Sequence, residues 1–424
     1  MKKPLLKTLP NGVRVLIISE PAAPTATVLV LVGTGSNYEN DSERGLSHFL
    51  EHMYFKGTTT MPTSKIIMER LDKIGALSNA FTANEYTGYY AKGAPKHVPT
   101  FIDILSDIYR NATFPEHEIE KEKGVIIEEI NMYEDMPQYK VGEVLLQLMY
   151  GNQPAGLPTI GTKESVRAFK RKDFISYKKK HYHARNTIVV VAGGVPMSEA
   201  YRHVIRAFGT LDTARPASKK KVLVQKKSPS LSVVTRSIDQ AHLAIGFHAF
   251  RAGHRATAAA ALLVTLLGRG MSSRLFQVLR EEMGAAYYVG AAQESFSDHG
   301  VVEITAGVDR VRINEVLARI ATLLHELTTT LVTPKELAKA REYALGSARL
   351  GLESSDEVAG FYGVQLLVKG SYKTLAAIAR EYRAVTPADI RRVARTLFTA
   401  RNTHIAIVGP CTRREVTVHS FVSL

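Results

Sequence analysis

Apolar positions along the 424-residue chain fall into short strand-like runs and longer helical stretches, and each half passes through them in the same order. An unbroken apolar run comes first: Thr27-Val28-Leu29-Val30-Leu31-Val32 in one half, His242-Leu243-Ala244-Ile245-Gly246-Phe247 in the other. Short runs of this kind predict buried strands. Helical segments follow at about 45–55 and 256–267, then alternating strands over 78–92 and 285–306, then helices over 101–108 and 313–327. A proline opens one more helix in each half, at Pro115 and Pro334, where its missing N–H costs nothing. The Lys-, Pro- and Ser-rich stretch 212–230 predicts a linker. Expected domains are therefore 1–212 and 231–424, joined by 213–230. Strands and helices mix without regular βαβ alternation, which predicts an α+β fold: two structurally similar domains, each an antiparallel sheet packed against helices.

Composition narrows the class. Hydrophobic content of 45% and charged content of 22% are those of a globular protein, and no apolar run reaches the eighteen or so residues of a membrane helix. The basic start, Met1-Lys2-Lys3, leads directly into a turn and strand over 8–18, so no secretory signal is expected. The single cysteine, Cys411, excludes an internal disulfide and a thiolate-rich metal site, and it fits a reducing compartment. The expected location is cytoplasmic. A formal charge of +15 suggests an anionic partner, but its densest clusters, Lys178–Lys180, Lys219–Lys221 and Lys226-Lys227, lack the interleaved aromatic residues of a single-strand platform. Neither nucleic acid nor membrane is expected as a partner. Gly193-Gly194 and Gly268-Arg269-Gly270 lack the length and lysine of a phosphate loop and predict turns.

The chemistry is concentrated in Gly45-Leu46-Ser47-His48-Phe49-Leu50-Glu51-His52-Met53-Tyr54-Phe55-Lys56-Gly57. At about 100° per residue, His48, Glu51 and His52 share one arc of a helix whose remaining positions are largely apolar. Two histidines at i and i+4 can present ring nitrogens to one zinc ion, and Glu51 then sits beside the open position, where it can take a proton from water. Catalytic zinc usually takes a third protein ligand. Glu122 and Glu129 are seven residues apart on a later helix and lie on one side of it. One of them can ligate while the other supports a ligand. Val125, Ile126 and Ile127 predict that part of this helix is buried.

With these segments the chain resembles the pitrilysin, insulinase and mitochondrial processing peptidase family, the inverzincins with H-x-x-E-H. The likeness covers the whole chain. It includes Leu77-Ser78-Asn79-Ala80-Phe81-Thr82, Glu85-Tyr86-Thr87-Gly88-Tyr89-Tyr90-Ala91-Lys92, and Glu122-Lys123-Gly124-Val125-Ile126-Ile127-Glu128-Glu129. The second half adds Met271-Ser272-Ser273-Arg274-Leu275-Phe276 and Arg280-Glu281-Glu282-Met283-Gly284-Ala285-Ala286-Tyr287. The resemblance implies a zinc-dependent endopeptidase with His48 and His52 as ligands, Glu51 as base and Glu122 as supporting carboxylate. Glu129, 77 positions after His52, takes the third ligand's place. Arg280 and Tyr287 match the pair that the family presents to bound substrate, and Asn79, Ala80, Phe81 and Thr82 match its substrate-binding edge strand.

The implied assembly is two similar α+β domains forming half of a clamshell, with peptides or short unfolded segments enclosed between two subunits. Because this chain keeps both the zinc residues and the Arg280–Tyr287 pair, a homodimer is expected; a heterodimer with a related subunit is the other possibility. Aligning Pro115 with Pro334 sets Arg341 opposite Glu122 and Ala348 opposite Glu129, and residues 260–266 carry no ligand, so one Zn2+ per chain is expected. The rival function is a non-catalytic structural subunit of a peptidase complex. Such members usually lose a ligand or the base, and this chain has them all.

Overall fold

The run at residues 27–32 lies at the centre of a sheet, as its lack of polar interruption requires. The computed structural model describes residues 4–224 and 229–424; Met1-Lys2-Lys3 and Lys226-Lys227 lie outside the described residues. The first sheet contains β1 (Leu5–Thr8), β2 (Arg14–Ser19), β3 (Ala26–Val32), β4 (Leu77–Thr82), β5 (Thr87–Gly93) and β6 (Thr187–Gly193), in the order β1-β2-β6-β3-β5-β4. The second contains β7 (Ser230–Thr235), β8 (Gln240–His248), β9 (Ala286–Ser295), β10 (Gly300–Asp309) and β11 (His404–Gly409), in the order β7-β11-β8-β10-β9. With β1 set aside the two orders are the same, strand for strand, so the repeat read from the sequence is a repeat of topology. The fold is α+β. Each sheet is mixed rather than wholly antiparallel, because β2–β6 and β7–β11 run parallel. The long chain between the two strands of each pair, helices included, gives the crossover that parallel pairing needs.

The chain divides into two compact units that are not the continuous spans 1–212 and 231–424. The first takes the chain up to Ile130, Pro158–Lys220 and Leu350–Tyr372; the second takes Asn131–Leu157, Lys221–Arg349 and Lys373–Leu424. Each unit therefore borrows one helix from the other half of the sequence. The physical reason lies in the strands. All seven residues of β3 are buried, so both faces of its sheet need an apolar cover. The helix Val98–Asn111 packs against β3 and β5, and Ser355–Lys369 packs against β3 and β6. Val358, Ala359, Tyr362 and Leu366 of the latter close a core with Leu29, Leu31, Ile188 and Val190. Gly363 makes that approach possible, since a Cβ there would lie 2.7 Å from Leu31 Cδ1 and 2.9 Å from Val190 Cγ2.

In the second unit Pro137–Tyr150 plays the reciprocal part, packing Val141, Leu145 and Met149 against Ala244, Val301 and Ala406. Here the close approach is made by a strand glycine: a Cβ on Gly246 would lie 2.6 Å from Met149 Sδ. Among the described residues no helix is long and apolar enough to cross a membrane. Cys411 is buried in the second unit's core.

Candidate active site

The helix Leu46–Tyr54 begins abruptly, and its start is fixed by a side chain from outside it. Gly45 adopts φ +86°, a left-handed conformation suited to glycine, and a Cβ there would lie 2.5 Å from the carbonyl oxygen of Ile160. The backbone N–H groups of Gly45 and Ser47 donate to the two carboxylate oxygens of Glu39, at 2.8 and 2.7 Å. These are donors that the helix itself cannot satisfy. Burial pushes the Glu39 pKa up to about 8, against the pull of these two bonds. Ser47 Oγ is also tied, 2.6 Å from the Tyr177 hydroxyl.

Leu46, Phe49, Leu50, Met53 and Tyr54 are buried, with Phe49 edge-on to Phe174. This leaves His48, Glu51 and His52 on the stripe away from that core, as the helical period predicts. The helix Glu116–Glu134 presents Glu122 and Glu129 to the same stripe. Its buried residues are Ile119, Glu122, Ile126 and Ile130, while Val125 is exposed, contrary to the expectation from its apolar neighbours.

His48, His52 and Glu129 each offer one ligand atom, all within 4.8 Å of one another. Nε2 of His48 lies 3.7 Å from Glu129 Oε1, and Nε2 of His52 lies 3.7 Å from Glu129 Oε2. Tetrahedral zinc with bonds of about 2.1 Å sets its ligands roughly 3.4 Å apart, so small side-chain rotations bring these three onto one ion. Glu122 accepts from Nδ1 of His52 at 2.9 Å, which places the proton there and leaves Nε2 with a lone pair. Burial, with a smaller contribution from His52, lowers the His48 pKa to about 3, so this ring is neutral, as a ligand must be. Nδ1 of His48 is buried and makes no hydrogen bond among the described residues. The donor set fits a zinc ion.

Two further groups complete the cluster. Thr82 Oγ1, from β4, donates to Glu51 Oε2 at 2.5 Å. Burial raises the Glu51 pKa, with Glu129 adding to the effect and the Thr82 bond and His52 opposing it. Burial disfavours the charged form of His52, but the bond to Glu122 and the nearby carboxylates outweigh it and raise its pKa. Lys56 Nζ lies 2.5 Å from Glu122 Oε2. The sequence did not single out Glu39 or Lys56, nor the bond from Thr82 to the base. Only Lys56 carried a local signal, four residues beyond His52.

The remaining predicted residues separate by unit. Asn79, Ala80, Phe81 and Thr82 lie on β4, which is the edge of the first sheet. Arg280 and Tyr287 belong to the second unit. Arg280 lies in the helical turn Phe276–Glu282, its guanidinium 5.1 Å from the Phe276 ring, and Tyr287 on β9 is 75% exposed. The second unit's helix Thr257–Gly268, counterpart of Leu46–Tyr54, is buried through most of its length and carries no histidine or carboxylate.

Residues 14–163 match the model of the insulinase family, peptidase family M16, and residues 168–343 match that of the M16 inactive domain. The chain belongs to the M16 peptidase family. It is 36% identical over 406 residues to the uncharacterized zinc protease YmxG of Bacillus subtilis, covering 95% of this chain and 97% of that one. An uncharacterized zinc protease of Mycobacterium tuberculosis is 33% identical over 410 residues, with 96% and 93% covered. Among solved structures, a protease from Helicobacter pylori shares the fold with a TM-score of 0.90 at 23% identity, covering 96% of this chain and 99% of that one. A peptidase M16 inactive domain from Pseudomonas fluorescens gives 0.89 at 16% identity, with 97% and 99% covered.

Proposed function

We propose that this chain is a zinc-dependent endopeptidase in which His48, His52 and Glu129 hold one zinc ion and Glu51 is the general base. The observation that carries this reading is the convergence of those three ligand atoms within 4.8 Å, two of them from the helical stripe that also carries Glu51 and the third from the helix Glu116–Glu134. Kinship to proteins named zinc proteases supports it. When bound, zinc supplies the Lewis acidity that makes water nucleophilic near neutral pH and polarises a peptide carbonyl. Glu51 takes the proton from the attacking water and returns it to the leaving amine; its raised pKa suits both transfers. The Thr82 hydroxyl holds one oxygen of that carboxylate in place. Glu122 fixes the tautomer and ring rotation of His52.

Substrate adds as an extra strand along Asn79–Thr82, where backbone hydrogen bonds give affinity without demanding one sequence. Arg280 and Tyr287 hydrogen-bond the bound peptide or the developing oxyanion from the second copy of a homodimer that encloses it. Supporting this part of the reading are the edge position of β4 and the exposure of both Arg280 and Tyr287. The test is cleavage of a quenched fluorescent peptide library by wild type and Glu51→Gln. Cleavage by the first and not by the second supports the assignment. Wild type that carries zinc but cleaves nothing returns the chain to the structural-subunit reading.

A further inference from the structure

Lys56 lies just beyond the last residues of the helix that carries the two histidines, and its environment is unusual for a lysine. Its side chain is only 19% exposed, although lysine usually keeps its ammonium in water. The helix ends at Tyr54, and the N–H of Lys56 closes the last turn on the carbonyl of Met53 at 3.2 Å. Gly57 then reverses the chain at φ +140°, where a Cβ would lie 2.5 Å from the carbonyl oxygen of Pro62. The ammonium of Lys56 meets Oε2 of Glu122 at 2.5 Å, while Oε1 of the same carboxylate meets Nδ1 of His52 at 2.9 Å. The Glu122 side chain is 5% exposed, so solvent does little to hold it. Three carboxylates, Glu51, Glu122 and Glu129, crowd this cluster. Among the described residues the contact with Lys56 is the only ion pair with a lysine or arginine that any of them makes.

We propose that Lys56 is a positioning residue of the metal centre: it anchors one oxygen of Glu122 so that the other faces His52 Nδ1, fixing the ring rotation that presents Nε2 as a ligand. Without that anchor the Glu122 carboxylate is free to rotate away from the ring and from its neighbouring carboxylates. The proposal rests on the zinc reading given above. The rival account is a lysine that merely complements the negative end of a helix, a role that does not pass through Glu122.

The experiment compares wild type, Lys56→Met, Lys56→Arg, Glu122→Gln and the Lys56→Met/Glu122→Gln double variant. Zinc affinity is measured by competition with a chromogenic chelator, and kcat and KM at saturating zinc on a quenched peptide. Loss of a group that orients a ligand typically costs about 10- to 100-fold in metal affinity or activity. Lys56→Met is expected to weaken zinc binding by such a factor and to lower kcat with KM little changed. Lys56→Arg should recover most of both. In the Glu122→Gln background Lys56→Met should add nothing, because the carboxylate it anchors is gone.

Unchanged zinc affinity and kcat in Lys56→Met, or losses that multiply in the double variant, would overturn the proposal. If Lys56→Met fails to fold by circular dichroism, the same cycle with Lys56→Gln decides. Wild type that neither binds zinc nor cleaves defeats the zinc reading and this inference together. Wild type that does both, beside an unaffected Lys56→Met, defeats this inference alone.

Discussion

Glu39 anchors the start of the helix that carries His48 and His52, so its removal tests whether the site depends on how that helix begins. Glu39→Ala leaves the N–H groups of Gly45 and Ser47 without their acceptors in a region where Glu39 is 7% exposed. Each buried donor left unpaired costs about 1–3 kcal/mol. Relief from burying the carboxyl, visible in its raised pKa, offsets part of that, and a net loss of about 2–3 kcal/mol follows. For a unit of this size that is a fall in Tm of roughly 4–12 °C.

Glu39→Gln keeps one carbonyl acceptor and should fall between the two. Its pH behaviour supplies an independent check. The folded-state pKa of Glu39 is raised above its ordinary value of 4.5 to about 8, so between these limits the folded state holds a proton that the unfolded state has released. Glu39's contribution is therefore fully present below pH 4.5 and is lost as pH rises toward 8. The Tm of wild type minus that of Glu39→Gln should shrink over that interval. Calorimetry of the three proteins from pH 5 to 8, with and without zinc, makes the measurement. A Glu39→Ala protein within about 1 °C of wild type, or a difference that grows with pH, would refute the reasoning.

Other consequences follow from single contacts. Thr82→Val removes the 2.5 Å bond to Glu51 and should lower kcat by about tenfold or more with a smaller change in KM, since a hydrogen bond to a charged group contributes about 1.5–3 kcal/mol; steady-state kinetics at saturating zinc decides. Gly363→Val places side-chain atoms where Leu31 and Val190 already stand and should cost about 1–3 kcal/mol in a denaturant melt, whereas Gly360→Val on the same helix, whose Cβ position is open, should cost less. Asp107 accepts from Thr58, Thr60 and Asn111; although burial opposes it, these bonds hold its carboxyl below the usual range. Its contribution is therefore present above pH 3.8 and lost as pH falls through the lower folded-state value, so the Tm advantage of wild type over Asp107→Asn should narrow on acidification.

Much of this was legible in the sequence because it is local. The unbroken run of β3 announces a strand buried on both faces, and the period of 3.6 places His48, Glu51 and His52 on one stripe. What the pattern did not carry was long-range. That β3 is covered by Ser355–Lys369, from the other half of the chain, depends on how the sheet crosses over, and Gly363 marks the approach only once the partner is known. The parallel pairs β2–β6 and β7–β11 were hidden for the same reason. At the site, spacing brought Glu122 and Glu129 to one side of a helix but did not divide their roles. The geometry distinguishes them, with Glu122 on the Nδ1 side of His52 and Glu129 facing Nε2 of both rings. Glu39 and Thr82 reach the helix from elements that no local pattern connects to it.

The central claim is that His48, His52 and Glu129 together hold one zinc ion, and metal content tests it most directly. Inductively coupled plasma analysis of purified wild type, Glu51→Gln, His48→Ala and Glu129→Ala, each refolding-checked by circular dichroism and dialysed against a weak chelator, makes the comparison. The account predicts about one zinc per chain in wild type and Glu51→Gln, and little in folded His48→Ala or Glu129→Ala. Full zinc content in either of the last two, or none in wild type supplied with the metal, would contradict it.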